Sequence, residues 1–110
     1  MRLTTIALAL STLMLTGCAS NQAHAPAPPA EQQVTVGCAM CIYNMDGVED
    51  CVLAVKVAGT PYLVTGSDID DHGDAHAADG LCNEEREAVA VGRIEDGKYV
   101  AQRIKLRPVD

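Results

Sequence analysis

The sequence has very little aromatic character: it contains no Phe, no Trp and only three Tyr in 110 residues. Proteins that bind single-stranded nucleic acid stack bases on aromatic side chains and attract phosphates with basic patches. This chain has eight Lys and Arg against fifteen Asp and Glu, a formal net charge of −7. The composition therefore argues against nucleic acid as a partner, and the core must be built from Val, Ile, Leu and Ala.

Long hydrophobic runs are missing apart from residues 3–15, which are too few to span a bilayer as a helix. This run follows Arg2 and ends in Leu15-Thr16-Gly17-Cys18, which resembles the lipobox of bacterial lipoproteins. The resemblance implies a signal peptide over residues 1–17, cleavage before Cys18 and lipidation of that cysteine. Two or three acyl chains would anchor the mature chain stably to a lipid membrane.

The residue after the lipidated cysteine bears on localisation. By analogy with lipoprotein sorting in Gram-negative bacteria, Ala19 is not the aspartate of a retention signal. The expected location is the cell envelope, at the outer membrane facing the periplasm. Residues 18–33, rich in Ala and Pro, are predicted to form a flexible linker. Residues 34–110 are predicted to form a single domain.

The domain begins with signals for a first strand and a hairpin. Residues 51–58 are rich in β-branched side chains, Gly59 and Thr60 suit a tight connection, and residues 61–65 can form the returning strand. Residues 33–37 can add a short strand before the hairpin. This part of the domain is predicted to be β structure.

A second hairpin is predicted near the end of the chain. Residues 88–95 alternate between apolar and polar, Asp96 and Gly97 are a strong two-residue turn signal, and residues 98–106 continue the pattern. Between the hairpins, residues 70–87 lack a β pattern and suit one or two short helical turns. The fold class is therefore mainly β: an OB-like five-stranded barrel, or an antiparallel sheet, with a short helical insert.

Side chains that bind metals concentrate in two segments. Cys38 and Cys41 form a Cys-x-x-Cys pair, which lets two thiolates bind one ion from a single loop. His72 and His76 are four positions apart and lie on one side of a roughly helical backbone. Together these four residues are a predicted metal site, which suits tetrahedral zinc or, with the methionines nearby, copper. Asp71 and Asp74 are candidates to orient the imidazoles.

Disulfides are the alternative interpretation of the cysteines. An exported domain with four cysteines besides the lipidated one is a candidate for disulfide bonds on compartment grounds. Cys51 with Cys82 is the preferred bridge, which leaves Cys38 and Cys41 for a metal or for a disulfide of their own. In that case the protein is a disulfide-stapled envelope interaction protein with no metal.

Several motifs together resemble a family of short, secreted bacterial proteins known only as a domain of unknown function. The resemblance covers residues 34–106 and implies an independent exported domain, with no activity attached to it. Nothing in the sequence suggests a catalytic constellation, so we expect a protein that is not an enzyme and whose protein partner the sequence does not specify. The motifs that carry the resemblance are Cys-Ala-x-Cys-Ile at 38–42, Gly-x-x-x-Cys at 47–51, Ala-Val-Lys at 54–56, Asp-Asp-His-Gly-Asp-Ala-His-Ala at 70–77, Gly-x-Cys at 80–82 and Asp-Gly-Lys at 96–98.

Overall fold

The computed structural model describes Gly17 and residues 29–109. The predicted signal peptide, apart from Gly17, and the predicted lipidation site at Cys18 lie outside the described residues. Within the described part of the chain, no helix is both long enough and apolar enough to cross a membrane. Residues 30–33, the last four of the predicted linker, belong to the first strand. Residues 18–28 of that linker lie outside the described residues.

The regular secondary structure of the described domain is almost entirely β-strand, which confirms the prediction of a mainly β fold. The five strands are β1 (Ala30–Cys38), β2 (Leu53–Val57), β3 (Thr60–Thr65), β4 (Arg86–Glu95) and β5 (Lys98–Leu106). Strands β4 and β5 have the bounds expected of the second hairpin to within two residues.

The strands close into a barrel in the order β1-β2-β3-β5-β4, so the alternative of an open antiparallel sheet is wrong. Strand β1 pairs antiparallel with β2 on one side and with β4 on the other. The barrel closes through a short parallel contact between β3 and β5, in which Val64 pairs with Tyr99 and Thr65 with Val100. Closure removes the free strand edges that an open sheet would expose.

Both predicted hairpins are present. Asp96 and Gly97 have φ values of 50° and 74° and connect β4 to β5 as predicted. The first hairpin turns through Ala58 and Gly59, with φ values of 49° and 86°, one residue earlier than predicted. Positive φ at both turn residues matches the right-handed twist of the flanking strands.

The predicted helical insert is not observed between β3 and β4. This connection contains one 3₁₀ turn, Ile69–His72, and is otherwise irregular. The turn ends at Gly73, whose φ of 98° is accessible mainly to glycine. Further on, Gly80 packs against the backbone carbonyls of Asp74 and Ala75. The chain therefore folds back on itself here instead of extending as a helix.

The buried core contains many small side chains. Tyr99 is its largest fully buried side chain, and buried Gly92 on the neighbouring strand leaves room for the ring. Six of the fifteen buried apolar residues are alanines, so the core contains little apolar volume for each ordered residue. Small domains with a core of this kind commonly gain stability from disulfide bonds or from a bound metal ion. The buried alanines are Ala39, Ala54, Ala75, Ala88, Ala90 and Ala101.

Candidate metal centre

The Cys-x-x-Cys pair lies where β1 ends. Cys38 is the last residue of β1 and is fully buried, and the chain then turns so that Cys41 is exposed. The turn is held by the amide of Ile42, which donates to the Cys38 carbonyl at 3.0 Å. The same turn directs the Cys41 amide at Cys38 Sγ, at 3.2 Å. An amide directed at sulfur favours the charged thiolate.

The other two cysteines reach the same end of the barrel from different parts of the chain. Cys51 stands two residues before β2, and this segment is tied to the end of β1 by the amide of Ala39, the residue after β1, which donates to the Val52 carbonyl at 2.8 Å. Cys82 is brought in by the β3–β4 connection, because the Cys38 amide donates to the Leu81 carbonyl at 2.8 Å. Backbone hydrogen bonds at the end of the barrel therefore bring the segments that carry Cys51 and Cys82 close to the end of β1.

The four sulfur atoms of Cys38, Cys41, Cys51 and Cys82 form one compact group, the cysteine site, in which all lie within 4.8 Å of one another. Cys51 Sγ is 3.7 Å from Cys41 Sγ and 3.3 Å from Cys82 Sγ. No disulfide joins cysteines in the described residues. The predicted bridge between Cys51 and Cys82 is therefore not formed, although the two sulfur atoms are neighbours.

These separations match the geometry of a four-coordinate metal. Four thiolates at about 2.3 Å from a central ion stand about 3.8 Å apart along the edges of a tetrahedron. Two of the observed distances between sulfur atoms, 3.3 and 3.7 Å, are slightly shorter than this edge. All the others are at most 4.8 Å. The four sulfur atoms could therefore hold one metal ion with small side-chain adjustments.

Three thiols of the cysteine site have shifted pKa values, and the shifts differ in direction. Burial alone would raise the pKa of Cys38, but hydrogen bonds from the Cys41 amide and neighbouring groups outweigh it and lower the pKa below its usual value. The hydrogen bond to Cys38 raises the pKa of Cys41 to about 11, with a smaller contribution from Cys51. Burial, followed by the hydrogen bond to Cys51, raises the pKa of Cys82. The Cys38 thiolate thus forms readily, whereas the thiols of Cys41 and Cys82 keep their protons until a cation displaces them.

The structure separates the two predicted histidine ligands. His72 lies at the end of the 3₁₀ turn, where its Nε2 is 2.8 Å from Ser67 Oγ. His76 is exposed, and its Nε2 is 3.9 Å from Cys51 Sγ. Of the predicted ligands, the structure brings Cys38 and Cys41 together and places His76 beside Cys51. His72 contacts Ser67 instead.

The two aspartates expected near the imidazoles bond to the backbone instead. Asp71 accepts a hydrogen bond from the Asp68 amide at 2.9 Å, which caps the 3₁₀ turn. Asp74 accepts one from the His76 amide at 3.0 Å. Their role in the described structure is to shape the loop that carries the histidines.

The sequence pattern favours a disulfide between Cys51 and Cys82 and does not predict that these two cysteines join Cys38 and Cys41. The available signal was the number of cysteines: the domain has four, which is the number of ligands that an all-thiolate zinc site needs. Their spacing along the chain does not show which of them meet.

The comparisons with known proteins give a family and no activity. Neither the curated proteins nor the solved structures yield a match to this chain. A family model described as a family of unknown function, DUF6370, matches residues 32–107, which include the whole cysteine site and most of the barrel. The chain therefore belongs to the DUF6370 family.

Proposed function

We propose that this protein is a membrane-anchored lipoprotein of the bacterial cell envelope whose barrel binds one Zn²⁺ ion through the cysteine site. The observation that carries the proposal is the convergence of four cysteine sulfur atoms within 4.8 Å. Three separate segments of the barrel supply them, so a bound ion would cross-link the ends of those segments.

The donor set favours zinc among the common ions. Thiolates are soft ligands, which are poor partners for Mg²⁺ and Ca²⁺ and good ones for zinc and copper. Copper(I) is the main competitor, and the exposed Met40 between the first two cysteines is a further soft donor in this region. Four thiolates at tetrahedral spacing match zinc most closely. A site with four protein ligands keeps no position open for a substrate, so we propose a binding role without catalysis.

The amide directed at Cys38 Sγ is a second line of support. Four thiolates around a divalent ion carry a net charge of −2, which hydrogen bonds to sulfur help to offset. The 3.2 Å contact from the Cys41 amide supplies such a bond before any ion is present. The buried corner of the site is therefore arranged for a charged sulfur.

The disulfide-stapled protein without metal is the second candidate. It is favoured by the 3.3 Å separation of the sulfur atoms of Cys51 and Cys82, which a small movement would bring to bonding distance. It does not account for the placement of Cys38 and Cys41 beside this pair, or for the amide directed at Cys38.

Metal analysis of the purified full-length chain tests the two candidates. We expect one equivalent of zinc in the wild type, measured by native mass spectrometry and elemental analysis. Cys51→Ser should lose that zinc, whereas His72→Ala, which removes an imidazole bonded to Ser67, should retain it. A wild-type protein free of zinc and copper, with its four domain thiols oxidised, would refute the metal site and support the second candidate.

The proposed anchor rests on the lipobox-like segment that ends at Cys18. Cys18→Ser removes the thiol that would carry the lipid, so this variant should leave the membrane fraction and lack the mass of the acyl chains. Membrane fractionation and mass spectrometry of both forms provide the measurement. Retention of the variant in the membrane at an unchanged mass would contradict the proposal.

A further inference from the structure

His76 is a fifth potential ligand at the open side of the cysteine site. Its Nε2 is 3.9 Å from Cys51 Sγ, which is close to the separation of about 3.6 Å between a nitrogen and a sulfur bound to one tetrahedral zinc. However, the set of ligand atoms that all lie within 4.8 Å of one another contains the four sulfur atoms and not His76. The imidazole therefore neighbours one ligand without being part of the set.

The backbone around His76 is held in place while its side chain is exposed. Its amide donates to Asp74, and its carbonyl accepts a hydrogen bond from Asn83 Nδ2 at 3.2 Å. The adjacent Ala75 carbonyl accepts from the Cys82 amide at 2.9 Å, which ties this loop to a ligand of the site. These bonds fix the backbone that carries the imidazole, which lies beside Cys51 Sγ and is accessible from solvent.

The exposure of the cysteines shows from which side an ion would enter. Cys38 is fully buried, Cys51 and Cys82 are half-buried, and Cys41 is exposed. The exposed thiol and the exposed imidazole both flank Cys51. An ion exchanging with solvent would therefore pass Cys41 and His76 before it reaches the buried sulfur of Cys38.

We propose that His76 is the entry and exit ligand of this site. In the first step of exit, a bond forms between His76 Nε2 and the metal, the bond between the metal and Cys41 Sγ breaks, and the freed thiolate takes a proton from water, which leaves hydroxide. A chelating acceptor then replaces His76 and the three remaining cysteines as ligands of the ion. No oxidation state changes, and entry is the reverse. The inference rests on the proposed function and adds that the ion is exchangeable, as expected for a protein that receives or delivers zinc.

A ligand of this kind matters because a closed tetrahedral site exchanges its ion slowly when it has no additional donor. An imidazole at the mouth supplies one without adding charge, because it binds as the neutral ring. It can stabilise the partly released ion in the interval before an acceptor takes it. The expected effect of His76 is therefore on the rate of transfer and little on the equilibrium affinity.

Zinc transfer from the full-length protein to an excess of a chromogenic chelator, followed by stopped-flow absorbance, tests this inference. His76→Ala should slow the transfer by about tenfold or more, which corresponds to about 1.4 kcal/mol of barrier. His72→Ala is the matched control and should transfer at the wild-type rate. Free imidazole in solution should restore fast transfer to His76→Ala, which a structural role of the side chain would not predict.

Two further measurements separate this inference from its alternatives. The equilibrium competition for zinc and the Co²⁺–thiolate absorption spectrum should be the same in His76→Ala and in the wild type. Equal transfer rates in these two proteins would overturn the inference, and so would loss of zinc or an altered cobalt spectrum, because His76 would then be a resident ligand. If the wild type binds neither zinc nor cobalt, the proposed function fails together with the inference.

Discussion

Removal of the proposed zinc ion should lower the melting temperature of this protein by about 15 to 30 °C. An ion present at about 1,000 times its dissociation constant stabilises the folded state by about 4 kcal/mol. In a domain of this size each kcal/mol corresponds to about 4 to 8 °C. The alanine-rich core provides little reserve of stability, so the proposed metal cross-link between three segments at one end of the barrel would be a large part of the total.

Cys41→Ser is the most informative variant for this prediction. Cys41 is exposed, so its replacement removes a ligand without disturbing the core. The variant should melt at the temperature of the chelator-treated wild type, and chelator should have no further effect on it. Differential scanning calorimetry with and without chelator, with His72→Ala as the control, measures both quantities. A chelator effect of less than a few degrees in the wild type would contradict a metal that stabilises the fold.

The same stabilisation should depend steeply on pH. The raised pKa values of Cys41 and Cys82 mean that both thiols are protonated at neutral pH in the absence of metal, so zinc must displace at least these two protons. The zinc affinity should therefore fall by about 100-fold for each unit of decrease in pH, and rise as the pH increases. Proton release on zinc addition, measured with a pH indicator in weak buffer, should reach about two or more for each ion bound.

Gly92→Ala should destabilise the barrel by about 2 to 3 kcal/mol, or about 10 to 20 °C in melting temperature. A Cβ at this position would overlap the Val100 carbonyl oxygen and lie 2.7 Å from Cε1 of Tyr99. Tyr99 is fully buried, so any movement of its ring would disturb the packing of the core. The overlap is independent of the metal, and the loss should be the same with and without zinc.

Two variants isolate the cause of this loss. Gly47→Ala serves as the control, because a Cβ there meets no atom within 4 Å and the cost comes only from its φ of 77°. That cost should be about 1 kcal/mol. In a Tyr99→Leu background, which removes the ring that the new methyl group would strike, Gly92→Ala should cost less than in the wild type. Additive effects in this double-mutant cycle would show that the ring is not the obstacle.

The second hairpin shows how much of the fold the local sequence predicts. Residues 98–106 were expected as a strand, and β5 spans Lys98–Leu106. The turn at Asp96 and Gly97 was also expected. Alternation and turn residues act between neighbours in the chain, so they can be recognised without knowledge of the rest of the molecule.

The β3–β4 connection shows where local sequence patterns fail to predict the structure. Its alanines and charged residues suit a helix, but helix propensity is weak and tertiary contacts override it. Here the Leu81 carbonyl accepts from the Cys38 amide, and the Ala75 carbonyl accepts from the Cys82 amide. The Leu81 carbonyl thus bonds to a residue far away in the sequence, and the Ala75 carbonyl bonds to a residue seven positions later. Neither carbonyl makes the bond to the residue four positions later that a helix would require.

By itself the sequence determined the strands, the two hairpin turns and the proximity of Cys38 to Cys41, all of which depend on residues close together in the chain. Only the tertiary structure decided that Cys51 and Cys82 join them. Cys51 and Cys82 are 31 residues apart, and Cys41 and Cys51 are 10 apart. Distances across such separations depend on the register of strands and on closure of the whole barrel, which arise from packing and hydrogen bonds between remote segments and leave no local pattern.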